Sequence, residues 1–114
     1  MKRVVILVRR APLAQSSTTE ALRIALGMTL ADHQVTVLYI DDGAGAAAEL
    51  APELAGGAPV AEALSLLGPC HVQELAEESS LKQARVRGVR SGVKIVDRAE
   101  ALSVINGAEL LISL

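Results

Sequence analysis

The first residues with the types and spacing to do chemistry follow a short aliphatic run at 4–8. Two arginines there precede a stretch of hydroxyl side chains at an expected helix start. Free N–H groups at a helix start and arginine side chains both favour anions. The loop contains no glycine, which excludes a P-loop and a dinucleotide-binding fingerprint. Helix capping is the plainer interpretation of the hydroxyls. The anion-binding candidates are Arg9, Arg10, Ser16, Ser17 and Thr18.

A pair of carboxylates, Asp41 and Asp42, follows the second aliphatic run and precedes Gly43. Two carboxylates at the end of a strand can hold Mg²⁺. A hard cation nevertheless needs more oxygen ligands than the sequence brings together at this point. We therefore interpret the pair as a turn with acidic residues at a helix start, and predict neither a metal site nor a cofactor.

The only cysteine is Cys70, so an internal disulfide is excluded. A reactive thiol is usually found at a helix N-terminus or beside a cation. Cys70 instead follows Gly68 and Pro69 and begins an expected strand, at the end opposite the usual ligand edge of a parallel sheet. We interpret it as a small apolar residue of the core. The alternative is a thiol that carries sulfur.

A basic stretch runs from residue 82 to residue 94 and contains Arg90 and Lys94 among its five cations. It can dock an acidic partner or a phosphate backbone, whereas a solvated surface is the plain alternative. No aromatic residues are interleaved, and the net charge is −2, so neither nucleic acid nor a membrane is expected as a partner. The partner-docking candidates are Ser79, Ser80, Lys82, Arg85 and Arg87.

The strands that must position these residues are indicated by aliphatic runs in the sequence. The chain has 114 residues, 51% of them hydrophobic, and Tyr39 is its only aromatic residue. A core of Val, Ile, Leu and Ala is typical of parallel strands buried on both faces. The pattern predicts strands at residues 4–8, 35–40, 70–75, 93–96 and 110–112.

Helices are expected between these strands. Ser17 and Glu20 have capping-box spacing, as do Asp97 and Glu100. A short helix is predicted at 80–86, and one or two helices at 44–67. The last helix should end in a left-handed cap at Asn106 and Gly107. Strict alternation predicts one domain, 1–114, with the α/β fold class of a three-layer α/β/α sandwich. Its five-stranded parallel sheet would be flavodoxin-like in the broad sense, with the strand order left open.

Two segments of the sequence resemble the DsrE/DsrF-like family, and the DsrF/TusC branch in particular. In the first, Arg9-Arg10-Ala11-Pro12 leads through the hydroxyl stretch to an Ala/Leu helix and then to the strand that ends in Asp41-Asp42-Gly43. In the second, Val96-Asp97-Arg98-Ala99-Glu100 leads to Asn106-Gly107-Ala108-Glu109 and a final strand. Together they span most of the chain apart from its alanine-rich middle.

The resemblance implies a cytoplasmic oligomer of identical or related subunits that takes part in persulfide transfer, with a sulfur-carrier protein as a further partner. Family members that carry sulfur do so on a cysteine near the helix after the third strand, where this chain has Ser79 and Ser80. The resemblance therefore implies a non-catalytic TusC/DsrF-like subunit. Two alternatives remain open: a sulfurtransferase that uses Cys70, and a small anion- or nucleotide-binding module that uses the loop 9–19.

Overall fold

The computed structural model describes residues 1–9, 17–48 and 70–114. Five strands and three helices alternate along these ranges. The strands are β1 (Arg3–Val8), β2 (Gln34–Tyr39), β3 (Gln73–Glu77), β4 (Val93–Val96) and β5 (Leu110–Ser113). The helices are α1 (Ser17–Leu30), α2 (Glu78–Gln83) and α3 (Arg98–Asn106), and a 3₁₀ helix, Asp41–Ala47, follows β2.

All five strands are parallel and form one sheet in the order β4-β3-β2-β1-β5. The predicted α/β fold with a five-stranded parallel sheet is confirmed. The chain steps outward from β1 to β4 and then returns to place β5 on the other side of β1. This reversal produces a switch point beside β1, where ligand sites of open parallel sheets tend to form.

The two faces of the sheet carry different layers because successive strand residues point to opposite sides. On one face, Ala21, Leu22 and Ala25 of α1 pack with Ile6 and the other aliphatic residues that share its face, together with α2 and the 3₁₀ helix. On the opposite face, Ala101 of α3 packs with Val5, Leu7, Leu38, Leu75 and Val96. The core is aliphatic except for the buried ring of Tyr39.

Three local expectations differ from the structure. The third strand begins at Gln73 rather than at residue 70, because Cys70 and His71 form a turn in which His71 has a left-handed φ of 61°. The helix predicted at 80–86 begins two residues earlier and ends at Gln83, since Arg85 turns left-handed with φ 58°. The later strand start and the earlier helix end both arise at non-glycine residues with positive φ, which the sequence pattern does not reveal.

The end of α3 also differs from the expected left-handed cap. Gly107 has a right-handed φ of −83°, and its N–H donates to the carbonyl oxygen of Ser103 at 3.0 Å. The chain then enters β5, and immediately before this strand the N–H of Glu109 donates to the carbonyl oxygen of Arg3 at 2.8 Å. That early pairing leaves no room for a left-handed turn. The N-terminal cap of α3 was predicted correctly, because the Asp97 side chain accepts a hydrogen bond from the N–H of Glu100.

The remaining expectation concerns the middle of the chain. The segment 44–67 was predicted to be helical, and its first residues belong to the 3₁₀ helix, whereas 49–67 lie outside the described residues. No helix in the described ranges combines the length and the apolar character required to cross a lipid bilayer.

Candidate functional site

The carboxyl ends of β1, β2 and β3 meet at one edge of the sheet, and polar residues gather there. Arg9 follows β1, Asp41 follows β2, and Glu77 ends β3 immediately before α2. Ligands of open parallel sheets bind outside this edge. We call Arg9, Asp41, Glu77, Ser79 and Ser80 the carboxyl-edge cluster.

A bridging serine links the ends of β2 and β3. The N–H of Asp41 donates to the Ser80 hydroxyl oxygen at 2.9 Å. The same hydroxyl donates its proton to the Glu77 carboxylate at 2.7 Å, and the Ser79 hydroxyl donates to that carboxylate oxygen at 2.8 Å. Ser80 and Glu77 are both buried. Because a buried polar group must be satisfied, this chain of hydrogen bonds fixes the start of α2 against the turn after β2.

Arg9 contributes the outer part of the cluster. Its Nε lies 3.4 Å from Oδ2 of Asp41, and more than half of each side chain is exposed. An ion pair so open to water contributes little to stability. Its effect is to place one positive and one negative charge at the entrance to the edge, beside the buried Glu77–Ser80 pair.

A glycine makes this arrangement possible. A Cβ at Gly43 would lie 1.9 Å from the carbonyl oxygen of Val8, far inside contact distance. The 3₁₀ helix therefore lies directly against the end of β1, where the N–H of Ile40 donates to the same Val8 oxygen at 3.1 Å. Only glycine allows so close an approach of the two backbones.

A second polar cluster lies deeper, on the face covered by α1 and α2. The Tyr39 hydroxyl donates to Oε2 of Glu74 at 2.7 Å, and Arg90 Nη2 donates to the same oxygen at 2.9 Å. Arg90 also donates to the carbonyl oxygen of Ala46 at 2.9 Å from Nη2, and its backbone N–H donates to that of Ala47. The side chains of Arg90 and Glu74 are 14% and 7% exposed. The cluster ties the loop 84–92 and the 3₁₀ helix to the sheet.

Burial raises the pKa of the Tyr39 phenol well above its ordinary value of about 10, and the neighbouring Glu74 carboxylate adds to the effect. The folded state therefore holds the phenol proton more tightly than the unfolded chain. The contribution of Tyr39 to the free energy of unfolding is fully present below about pH 10. Above that pH the free energy of unfolding falls by up to about 1.4 kcal/mol per pH unit.

This gives a prediction for alkaline solution. The chain has one tyrosine and no tryptophan, so phenolate ultraviolet absorbance reports Tyr39 alone. We expect that absorbance to rise only with loss of the circular dichroism of the fold, and the Tyr39→Phe variant to lose stability less steeply above pH 10. A phenolate signal that appears in the folded protein at about pH 10 would contradict this interpretation.

The structure brings only part of the predicted anion site into view. Arg9 is paired with Asp41, whereas Arg10 and Ser16 lie outside the described residues. Ser17 and Thr18 open α1, but their side chains are likewise outside the description. The anion site stays a prediction.

The acidic pair Asp41 and Asp42 lies in the first turn of the 3₁₀ helix, in agreement with the interpretation as helix-start acids. Within the ranges 1–9, 17–48 and 70–114, no three His, Cys, Asp or Glu side chains come together as metal ligands do. The backbone N–H of Asp41, in this turn, donates to the Ser80 hydroxyl oxygen at 2.9 Å.

Cys70 lies in the turn before β3, at the amino edge of the sheet, and is partly buried against the core on the α1 face. The carboxyl-edge cluster is at the other end of the strand. The sequence correctly separated this thiol from the ligand edge, although it placed Cys70 inside the strand.

The docking candidates divide into two groups. Lys82, Arg85 and Arg87 are exposed, with Lys82 Nζ 3.3 Å from the Glu78 carboxylate. Ser80 is buried and serves the carboxyl-edge cluster instead. Arg90, grouped with the exposed cations from sequence alone, is largely buried, so that interpretation was wrong for this residue. The signal that was missed is Glu74, a single carboxylate on the α1 face of an inner strand, which requires a cation nearby.

Comparison with known proteins supplies the remaining evidence. The family model described as the DsrE/DsrF-like family matches residues 2–111. The crystal structure of the YchN protein from E. coli resembles the chain with a TM-score of 0.84 and 18% sequence identity, over the full length of both chains. At that identity the similarity to YchN shows the fold alone. No curated protein matches the chain.

Proposed function

The chain belongs to the DsrE/DsrF-like family, and we propose that it is a non-catalytic subunit of a cytoplasmic sulfur-relay assembly. Membership of this family implies a function related to sulfur relay. In the proposed role the chain supports persulfide transfer between proteins without holding the sulfur itself. The finer assignment to a TusC/DsrF-like role belongs to this proposal.

The observation that carries the proposal is the chemistry at the start of α2. A sulfur carrier of the family has its cysteine near this helix, where this chain has Ser79 and Ser80 hydrogen-bonded to Glu77. A serine hydroxyl does not form a persulfide. The only thiol of the chain, Cys70, lies at the opposite edge of the sheet, away from the start of α2, and is partly buried.

The subunit role requires partners of the same fold. Large apolar side chains are exposed on α3 and β5, where Leu102 is 51% and Leu111 46% accessible. Such residues are consistent with burial against another subunit. We propose that the chain assembles with itself or with related subunits. Light scattering at micromolar concentration tests this, and a monomer both alone and mixed with a co-encoded family member counts against it.

The persulfide prediction is tested by intact mass. The protein is incubated with a cysteine desulfurase and cysteine, alkylated, and weighed by mass spectrometry. We expect no added sulfur on the wild type beyond that on Cys70→Ser. A sulfur atom bound to most of the wild-type chains and lost in Cys70→Ser would instead establish the alternative, a sulfurtransferase that uses Cys70.

A matched control asks whether the donor reaches the carboxyl edge. In the Cys70→Ser background, Ser79→Cys places one thiol at an exposed position of the first turn of α2. Its thiolate can attack the outer sulfur of the donor persulfide, with the donor thiolate leaving. If this variant gains sulfur while the wild type gains none on Cys70, the edge is accessible to the donor, and the missing thiol is what makes the subunit passive.

A further inference from the structure

The outer side of β4 is an open edge of the sheet that the described residues form. β4 pairs with β3 on one side, and in the described part of the chain no strand pairs with its other side. An open edge presents backbone N–H and C=O groups that can accept another strand. Ile95, near the middle of β4, is 48% exposed.

A cavity of about 240 Å³ opens beside this edge. It lies between α2, the loop that follows it and β4. Its apolar lining is aliphatic and comes from Leu81, Val86, Val89 and Ile95. Glu78, Lys82 and Arg87 complete it with charged groups. A branched aliphatic side chain can enter such a cavity and leave its backbone at the level of β4.

Cations outnumber carboxylates along the β4 edge and the loop 84–92, where Glu78 and Glu100 are the nearby acidic residues. Lys82 is paired with Glu78. Arg85, Arg87 and Lys94 are exposed and have no ion-pair partner among residues 1–9, 17–48 and 70–114. Exposed cations without partners attract a segment of opposite charge and speed its association.

We propose that the outer edge of β4 and the adjoining cavity bind an extended acidic segment of a partner protein, which adds a sixth strand to the sheet. Because strand side chains alternate, Ile95 faces the cavity and Lys94 faces the other side. A bound segment would then direct apolar side chains into the cavity and carboxylates toward Lys94, with further carboxylates near Arg87. Backbone pairing supplies affinity, and alternate side chains supply specificity.

Charge argues against one other occupant, and the lack of exposed aromatic residues argues against a second. A second copy paired edge to edge would bring the unpaired cations of both chains together, and like charges opposed across strands are destabilising. A single-stranded nucleic acid needs aromatic platforms for its bases, and Tyr39, the only aromatic residue, is fully buried. The proposal goes beyond the subunit role, because strand addition needs no sulfur chemistry and each can fail alone.

Fluorescence anisotropy with defined peptides tests the proposal. The probe is a fluorescein-labelled peptide in which glutamate and valine alternate over seven residues, followed by two further glutamates that supply a carboxylate on the cavity side near Arg87. We expect saturable binding that weakens with salt and is lost when the alternate peptide amides that face β4 are N-methylated, since this removes the hydrogen bonds that pair the strands. A peptide with lysine in place of glutamate should not bind.

Protein variants locate the site. Arg87→Glu and Lys94→Glu should each weaken binding about fivefold, and together about twenty-five-fold. Ile95→Ser should weaken it as well. Lys2→Glu, an exposed charge reversal before β1 at the amino edge, is the matched control and should leave the affinity unchanged. All these sites are exposed, and circular dichroism verifies that each variant folds.

Four results would overturn the proposal. They are equal binding of the lysine peptide, retained binding after N-methylation, preference for a labelled oligouridylate, and a dimer of the chain that Ile95→Ser abolishes. A fifth such result is the absence of binding at millimolar peptide. None of these results bears on whether Cys70 accepts sulfur, so the proposed function is judged separately.

Discussion

Arg90→Met should lower the free energy of unfolding by about 3–5 kcal/mol, a large share of the stability of a small domain. The substitution keeps an unbranched side chain in place but leaves the Glu74 carboxylate buried without its cation. It also removes the donors to the carbonyl oxygen of Ala46. Urea denaturation followed by circular dichroism measures the loss.

Two comparisons isolate the cause. Arg87→Met, at an exposed position three residues away, should change stability by no more than about 0.5 kcal/mol. The double variant Glu74→Leu, Arg90→Met removes both charges and should recover most of the loss, because a buried pair replaced by apolar groups is often neutral. If Arg90→Met costs no more than Arg87→Met, the pair is hydrated and the cluster does not hold the loop 84–92.

The same cluster explains how the fold positions its edge. Arg90 holds the 3₁₀ helix by the carbonyl oxygens of Ala46 and Ala47, and the first residue of that helix, Asp41, donates its N–H to Ser80. The loop after α2 and the start of α2 are thus both hydrogen-bonded to the 3₁₀ helix. A segment held at both ends keeps the Glu77 carboxylate and its two hydroxyl donors in fixed geometry.

The sheet was predictable because its signal is local and strong. Val4 to Val8 and the other aliphatic runs have no competing interpretation, and helical connections between them require parallel strands. Strand order was not predictable, since any right-handed path satisfies the same local pattern. The return of β5 to the side of β1 is decided by packing between distant residues.

The candidate site was predictable only in outline. Strand ends indicated the edge and correctly placed Asp41 there, and Ser80 was identified as a residue at a helix start. The role of Ser80 could not be predicted from the sequence, because its hydroxyl accepts a hydrogen bond from Asp41, which lies 39 positions earlier in the chain. Arg90 was misread for the same reason. A cation in a polar loop is usually solvated, and only the facing Glu74, sixteen residues away, makes it a core residue.

Gly43→Ala should destabilise the protein by about 3 kcal/mol, the cost of forcing extra volume into a packed site. The added Cβ would lie 1.9 Å from the Val8 carbonyl oxygen and 2.4 Å from its carbonyl carbon. Both atoms are backbone in a central strand, so neither can rotate away. The 3₁₀ helix must move instead, and the hydrogen bond from the Asp41 N–H to Ser80 should be lost.

Gly27→Ala is the matched control, since it adds the same methyl group within α1 where no described atom beyond the neighbouring turns of its own helix lies within 4 Å. Alanine is favoured over glycine inside a helix, so this variant should gain about 0.5–1 kcal/mol. Urea denaturation compares the two, and hydrogen exchange at the Asp41 amide reports the displaced segment. Opposite signs locate the constraint at the contact between the 3₁₀ helix and β1. A Gly43→Ala variant as stable as Gly27→Ala would show that the two backbones do not touch, and the carboxyl-edge cluster would then lose the contact that fixes its geometry.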